Sequence, residues 1–410
     1  MKRLLLIIAR VLAGAIILVI LFFNVRIHLT PDFGDPDDVK ADVALQLKYL
    51  QAKIHDGRLA ADMQAQYPEG FVFTNALYGL AHANIARHST DSSSRVLAIH
   101  EAIFAYRQIS SPMGYSTFTY EMIPHYGIFY LGWKNYLLGN IIAVNPGDTS
   151  LLAEFKSQSA VIASGFKLSS SPYLPSYPDQ CWPADNAVAM ASLKLHDALL
   201  GNRFQPLVNE WMAKVKTRLD PATGLIPHSV QAMSGNVKEG SRGSSVTLML
   251  AFLAKVSPDF AASQFEQYRQ LFLTDICGLP AVYEYPKGNE STGDIDSGPV
   301  CLGVGGSATI VAPLTLTVYG DKHDAILLSK TIETFGFPTT STEGKTFVGG
   351  AQPMADLFIA WTRSAMLDKV QINEVQEREG SIVTFHVISA LIVLTLLVFI
   401  VYPLIVRKQV

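Results

Sequence analysis

Leu137-Leu-Gly-Asn140 returns as Leu199-Leu-Gly-Asn202, and Val318-Tyr-Gly-Asp321 repeats its shape further along. The first two copies lie roughly 60 residues apart and the third about twice that distance on, a period that suits a helical hairpin repeated around a ring. Glycine just after the last apolar turn is a helix C-cap signature, so each copy predicts a helix end. Working outward, strand-type alternation is scarce and helical periodicity recurs. It predicts helices over 38–55, 71–87, 93–109, 120–138, 151–166, 186–200, 204–219, 244–256, 261–274, 307–319, 324–335 and 353–366. Asp148-Thr-Ser, Ser93 and Asp321 read as N-caps. Helices in this number and order predict an all-α fold, an (α/α)6 toroid or barrel. An irregular helical domain with chance glycine caps is the alternative.

With 410 residues and 49% hydrophobic content the chain can bury a large core. A net charge of −3 and a pI near 6.4 leave no electrostatic footprint for nucleic acid. Only 16% of residues are charged, and the two chain ends account for part of that. From Leu4 to Val25 the N-terminus is mostly apolar, with Arg10 its one charged residue, and long enough to cross a bilayer. The segment after it, Phe22-Phe-Asn-Val-Arg-Ile-His28, offers no small-x-small cleavage site, which favours an uncleaved anchor over a signal peptide. Ile382 to Val406 repeats the theme and is followed by Arg407-Lys408. Both outer flanks are basic, so both tails are expected in the cytoplasm and the intervening chain in the periplasm or outside the cell. The expected organisation is an N-terminal anchor (1–26), an extracytoplasmic barrel (27–375) and a C-terminal transmembrane helix with a short basic tail (380–410). Of three cysteines, Cys277 and Cys301 could pair and leave Cys181 odd, or all three could be reduced and buried.

Three long irregular stretches, 168–185, 220–243 and 278–306, are rich in Gly, Pro, Ser and acids, a length usually kept for function. The first contains Ser176-Tyr-Pro-Asp-Gln-Cys-Trp-Pro-Ala-Asp-Asn186. Asp179 and Asp185 there could hold different protonation states and act as acid and base. Asp185 could instead simply cap the next helix. Tyr177, Trp182 and Cys181 would shape the substrate platform. The third stretch carries Asp294 and Asp296, alternate residues that would point to one side of an extended loop and there bind a cation, serve as acid and base or hydrogen-bond sugar hydroxyls, or would satisfy backbone N–H groups in a Gly-rich turn. Earlier in the chain, Glu121 and His125 are four apart, on one face if helical, with Tyr126 adjacent and Pro124 delaying the helix start. Glu121 is then a candidate general acid. Lesser candidates are Tyr67, Glu69, Asn75, Tyr78 and His82, the loop around Arg242, and His228 reaching toward the funnel. No zinc-protease, P-loop, nucleophile-elbow or CxxC pattern occurs.

From about Glu121 to Leu328 the order of features resembles linalool dehydratase/isomerase, an exported (α/α)6-barrel family acting on monoterpene alcohols. Trp133-Lys-Asn-Tyr-Leu-Leu-Gly139 is similar to that family's helix after its catalytic histidine. Tyr177-Pro-Asp179 with Asp185-Asn-Ala-Val-Ala is similar to its Glu-Pro-Asp…Cys-Asn-Ser-Val-Ala loop. Leu219-Asp-Pro-Ala-Thr-Gly224, Val256-Ser-Pro-Asp-Phe260 and Asp294-Ile-Asp-Ser-Gly298 also have counterparts. The family's two thiols fall on Ser176 and Asp185, its glutamate on Tyr177 and its histidine on Tyr126. The resemblance implies the fold and the position of the pocket. Carboxylates in place of thiols imply a more polar substrate.

Together these readings favour a membrane-anchored enzyme, with no cofactor expected, no metal-binding residues assigned and the metal requirement open. Its catalytic residues would be drawn from Asp179, Asp185, Glu121 and Asp296, with Tyr177, Trp182, His125, Tyr126, Asp294 and Cys181 binding substrate. The reaction is dehydration or isomerisation of a hydroxylated small molecule, or hydrolysis of a glycan. The rival from another class is a non-catalytic binding or scaffold protein of the cell envelope. The partners expected are that substrate and the lipid bilayer, with a homo-oligomer open.

Overall fold

All twelve expected helices are present, most with bounds moved by one to four residues. The computed structural model describes residues 2–289, 291–294, 297–368, 372 and 381–406. In chain order the helices are α1 (Lys2–Arg26), α2 (Pro36–His55), α3 (Leu59–Gln66), α4 (Gly70–His88), α5 (Ser92–Ile109) and α6 (Pro112–Tyr115). Then follow α7 (Gly127–Val144), α8 (Thr149–Leu168), α9 (Pro183–Leu200), α10 (Gln205–Val215) and α11 (Gly243–Val256). The remainder are α12 (Pro258–Leu271), α13 (Gly306–Val318), α14 (Lys322–Phe335), α15 (Pro353–Ala365) and α16 (Ile382–Val406).

Helices α4, α7, α9, α11, α13 and α15 pack side by side in that order, and α15 returns to α4, closing a ring. Outside it, α5 backs α4, α8 backs α7, α10 lies on α8 and α9, α12 backs α11, α14 backs α13, and α2 covers α15. This is an (α/α)6 toroid. Strict alternation of inner and outer helices makes the inner ones run in one direction. Their C-terminal ends meet the outer helices through short turns, while every long connection lies at their N-terminal ends. The four small hairpins stand there too: β1 (Ser229–Val230) with β2 (Val237–Glu239), β3 (Leu273–Ile276) with β4 (Leu279–Val282), β5 (Val300–Cys301) with β6 (Val304–Gly305), and β7 (Thr339–Ser341) with β8 (Gly344–Thr346).

The toroid has no open bore. Phe73 of α4, Trp133 of α7, Phe252 of α11 and Trp361 of α15 meet inside it, with Trp133 edge-on to Phe252 (5.6 Å) and Trp361 (6.0 Å). Trp133 is fully buried. Aromatic pairs at such spacings add to area burial, and here they plug the ring between its two mouths.

The seam where the chain closes the ring is held by charge. Asp42 of α2 and Glu333 of α14 each bind both Lys345 of β8 and Arg363 of α15. All four side chains are buried. Burial alone would raise the Asp42 carboxyl, but Arg363 and Lys345 outweigh it and hold it below its ordinary range. The Arg363 guanidinium also lies 4.6 Å over the Phe33 ring.

The structure corrects several local expectations. Gly139 does not end a helix, since α7 runs on to Val144. A Cβ there would lie 2.7 Å from Leu195 Cδ2 and 2.9 Å from Phe155 Cζ, so this glycine serves close packing. Gly201 (φ 98°) and Gly320 (φ 80°) do sit just past helix ends with positive φ. Asp91, not Ser93, caps α5, accepting from Ser94 N–H. The helix expected from Tyr120 starts only at Gly127, after Tyr126 in the left-handed region (φ 66°). Glu121 and His125 therefore share no helical face. Cys277 and Cys301 are separate free thiols, both exposed, while Cys181 is buried.

Two helices, Leu4–Arg26 and Ile382–Val401, are long and apolar enough to cross a membrane. At 23 residues the first spans about 34 Å against a hydrocarbon core of about 30 Å. They pack against each other, with the His28 and His386 rings stacked at 5.0 Å and His386 Nδ1 2.6 Å from Asn24 Oδ1.

Candidate functional site

The mouth at the N-terminal ends of the inner helices collects most of the side chains singled out in the sequence. The loop entering α9 runs antiparallel to β1, with Val230 N–H donating to Cys181 C=O (3.1 Å). This pairing places Trp182 beside the β1–β2 hairpin. Asn186 fixes the loop from below, accepting from Leu174 N–H (2.7 Å) and donating to Leu174 and Trp182 carbonyls.

The aromatic residues form a continuous row. Tyr177 is edge-on to Trp182 (5.5 Å) and stacks on Phe118 (5.5 Å) and Phe129 (6.0 Å). Tyr126 packs on Tyr115, Tyr120 and Tyr130, and Tyr120 stacks flat on His125 (4.0 Å). The Tyr177 hydroxyl donates to Glu69 Oε2 (3.0 Å), which absorbs one of the lesser candidates. Four expected substrate-binding residues (Tyr177, Trp182, His125 and Tyr126) thus line one end of the barrel.

The expected acids separate. Asp179 is exposed at the tip of the Tyr177–Gln180 turn in a left-handed conformation (φ 61°). Glu121 is likewise exposed. Asp185 is buried in the first turn of α9, accepts from Ser176 Oγ (2.5 Å), and does not act as the N-cap, a position held by Trp182. Cys181 is buried too, its thiol donating to Leu174 C=O (3.0 Å). Burial, with the charge of Asp185, pushes that thiol well above its ordinary range, so it is not a nucleophile. Asp296 lies outside the described residues.

The densest polar cluster centres on Arg242, the residue preceding α11. Its side chain is 2% exposed, yet it carries three carboxylates. Nε donates to Glu284 Oε1 (2.8 Å), and Nη1 and Nη2 grip Asp294 two-pronged (2.6 and 2.7 Å). Nη1 also reaches Glu239 Oε1 (3.3 Å). Glu284 is fully buried and accepts from Ser244 as well. Burial raises its carboxyl, and Ser244 and Arg242 only partly reverse this. Asp294 and Glu239 face outward, their side chains about half exposed (49% and 45%). His228, buried between them and Ser245, sits 3.7 Å from Glu239. Burial, helped by Arg242, pulls its pKa down to about 3, so it is a neutral imidazole.

Asp294, a substrate-binding candidate from sequence, belongs to this cluster, as does Arg242, a lesser candidate; the sequence does not single out Glu239 or Glu284. The spacing of Glu239 three residues before Arg242 was the single local signal; Glu284 and Asp294 lie 42 and 52 residues away.

The opposite mouth holds a cavity of about 780 Å³. Its lining comes from the C-terminal ends of the inner helices and includes Arg87, His88, Lys194, Lys255, Asp197 and Asp368. Asp368 binds Arg87 (3.1 Å) and His88 (2.9 Å), and Arg87 also donates to Asn140 (2.8 Å). No motif announces it, because each helix end contributes only one or two of its charged residues.

No family model matches the chain, and no curated protein does either. Among solved structures, a GH76 alpha-mannanase from Bacteroides thetaiotaomicron is similar at 13% identity and a TM-score of 0.43, over 72% of this chain and 86% of that one. The toroid therefore rests on the chain's own helix packing. The linalool dehydratase/isomerase resemblance has no matching relative behind it.

Proposed function

We propose that the chain is a membrane-anchored (α/α)6 enzyme that hydrolyses or remodels a glycan at the mouth carrying the long loops. α1 and α16 would be its two spans, both tails cytoplasmic and the toroid on the far side. The observation that carries the reading is the pair of half-exposed carboxylates, Glu239 and Asp294, bound to one nitrogen, Arg242 Nη1. At 3.3 and 2.6 Å from that atom, their nearest oxygens can be no further apart than the two bonds laid end to end. That is short of the ~6.5–9.5 Å needed to fit a water in an inverting glycosidase and compatible with the ~5–5.5 Å of a retaining one. Asp294, gripped on both nitrogens, takes the role that attacks or stabilises positive charge. Glu239, on one longer contact, takes the proton-donating role. Neutral His228 lies beside Glu239 (3.7 Å), and Tyr177, Trp182 and Tyr126 supply ring faces for sugars. Asp179 and Glu121 would contact the substrate from the rim. Dehydration of a terpenoid alcohol, implied by the resemblance, calls for a closed apolar pocket, whereas these carboxylates face outward.

The test is release of reducing ends from purified envelope glycans and glycolipids by the full chain in detergent. Glu239→Gln and Asp294→Asn should each lower the rate by about 10²–10⁴-fold with melting unchanged within a few degrees. Undiminished release by both folded variants refutes the assignment. A second reading, a binding protein using the cation-lined cavity of about 780 Å³, is favoured by that cavity's size. Glycan binding that Lys194→Ala and Lys255→Ala abolish, but Glu239→Gln does not, would select it.

A further inference from the structure

The spans and the loop-bearing mouth lie on the same end of the toroid. Phe23 of α1 packs on Phe335, the last residue of α14 (4.6 Å), and on Phe337 just beyond (5.8 Å). Ile27, four residues later and just past the end of α1, is buried in a cluster with Leu327, about two turns earlier in α14. The two helices are therefore antiparallel along this contact, and residues 4–22 of α1 project past the C-terminus of α14. An outer helix such as α14 ends where the long loops are. α16 leaves from the same place: Ser381 N–H donates to Gly278 C=O at the β3–β4 tip (3.0 Å), and Phe385 joins the Ile27 cluster.

Exposed apolar side chains of the toroid gather on that same end. Met113 (α6), Tyr120 and Ile123 (before α7), Met233 (β1–β2 turn), Leu302 (β5–β6 turn) and Val348 (before α15) are all exposed, Met233 at 88% and Leu302 at 78%. Among the described residues, none of the exposed large apolar side chains falls in the short turns 89–91, 145–148, 201–204 or 319–321 at the opposite mouth. Val96 and Leu97, in the first turns of α5, are exposed at the other end; isolated exposed apolar residues need no explanation, but loop tips gathered on one rim mark an interaction surface. The continuity of this rim with two membrane-crossing helices identifies its partner.

We propose that the loop-bearing rim rests on the bilayer, with these apolar loop tips in the headgroup–acyl boundary, so that the carboxylate mouth opens toward lipid and the cation-lined cavity faces away. Tyr120 at the rim suits such an interface, where aromatic side chains with one polar end collect. The orientation makes no use of catalysis, so it stands or falls apart from the glycan reading.

The experiment uses the full chain in phosphatidylcholine vesicles with a polarity-sensitive fluorophore on single thiols. Native Cys301, exposed beside Leu302, reports the rim in a Cys277→Ser background; buried Cys181 does not compete. Gly147→Cys, placed in a Cys277→Ser/Cys301→Ser background, reports the far mouth, where a Cβ meets no atom within 4 Å. Lipids with a nitroxide high on the acyl chain should quench the 301 label several-fold more than the 147 label, with a matching blue shift only at 301. A third label, Met233→Cys in that same thiol-depleted background, should behave like 301. Equal quenching at 301 and 147, or stronger quenching at 147, overturns the proposal.

Discussion

Removing Arg242 should expose how much of this protein's stability is a charge held out of water. In Arg242→Met the fully buried Glu284 loses a guanidinium contact of 2.8 Å. At ~4 Å between charge centres and an effective dielectric of ~20, that pair is worth about 4 kcal/mol. The loss has a ceiling, because Glu284 can neutralise itself. Protonating a carboxyl of ordinary pKa near 4.3 costs about 3.7 kcal/mol at pH 7 and about 1 kcal/mol at pH 5. Glu284 is already raised by burial in the intact protein. A raised folded-state pKa contributes stability that is present below the unfolded value and lost as pH rises, so the penalty must grow with pH. We expect Arg242→Met to be about 3–4 kcal/mol less stable than the parent at pH 7. About 2 kcal/mol or more of that should return at pH 5. Denaturant unfolding of the purified chain in detergent measures both. Adding Glu284→Gln isolates the cause, since a neutral amide needs no counter-charge, and should restore most of the stability at pH 7. A deficit that is flat from pH 5 to 7, or a double variant no more stable than Arg242→Met, refutes the account.

Other perturbations separate the remaining roles. Lys345→Met leaves Asp42 and Glu333 with only Arg363 between them, and removal of one partner from such a buried network should cost about 3–5 kcal/mol, read as a fall in melting temperature. His82 of α4 is buried without a hydrogen-bond partner among the described residues, and burial lowers its pKa to about 4. A depressed histidine contributes stability above its unfolded pKa that is lost as pH falls through about 6.5 toward 4, at up to about 1.4 kcal/mol per unit. His82→Leu should therefore flatten the acid limb of the stability curve; an unchanged slope between pH 6 and 4.5 would count against this. The two glycines of the repeated motif should respond differently to alanine. Gly139→Ala forces Leu195 and Phe155 to move and should cost about 1–3 kcal/mol through overpacking. Gly201→Ala meets no neighbour, and its cost of about 1–3 kcal/mol comes from a backbone conformation (φ 98°, ψ 153°) that is essentially glycine's alone; a Gly139→Ala variant as stable as the parent in thermal melts would contradict the packing.

The helices were legible because each carries its own instructions: apolar residues at helical spacing, acids such as Asp148 and Asp321 at N-caps, glycines such as Gly201 past the end. The ring was legible from the same periodicity, even though Gly139, in the motif that suggested it, turned out to pack rather than to cap. Local patterns also placed part of the aromatic mouth, since Tyr177 and Trp182 lie in a loop whose length marks it, whereas Tyr126 falls in a stretch whose spacing predicts a helix. They could not show which acids gather. Glu284, Asp294 and Arg242 meet only after α11 and the β3–β6 hairpins have docked, and nothing in the spacing of these residues encodes that meeting. Asp179 and Glu121 were conspicuous for the opposite reason: they stand at exposed positions of polar loops, where side chains usually remain in water.

The ion quartet at the ring seam also sets a timetable for manufacture. Asp42 lies in the first helix after α1, while Arg363 is 321 residues downstream. At a synthesis rate of ~5–20 residues per second, roughly 15–65 s pass between them. For that interval the growing chain is an arc with two unsealed apolar faces, and Asp42 has no cation to meet. The last turn of α15 works as a clasp, and a nascent chain stalled before it should be the form that holdase chaperones bind and proteases clear.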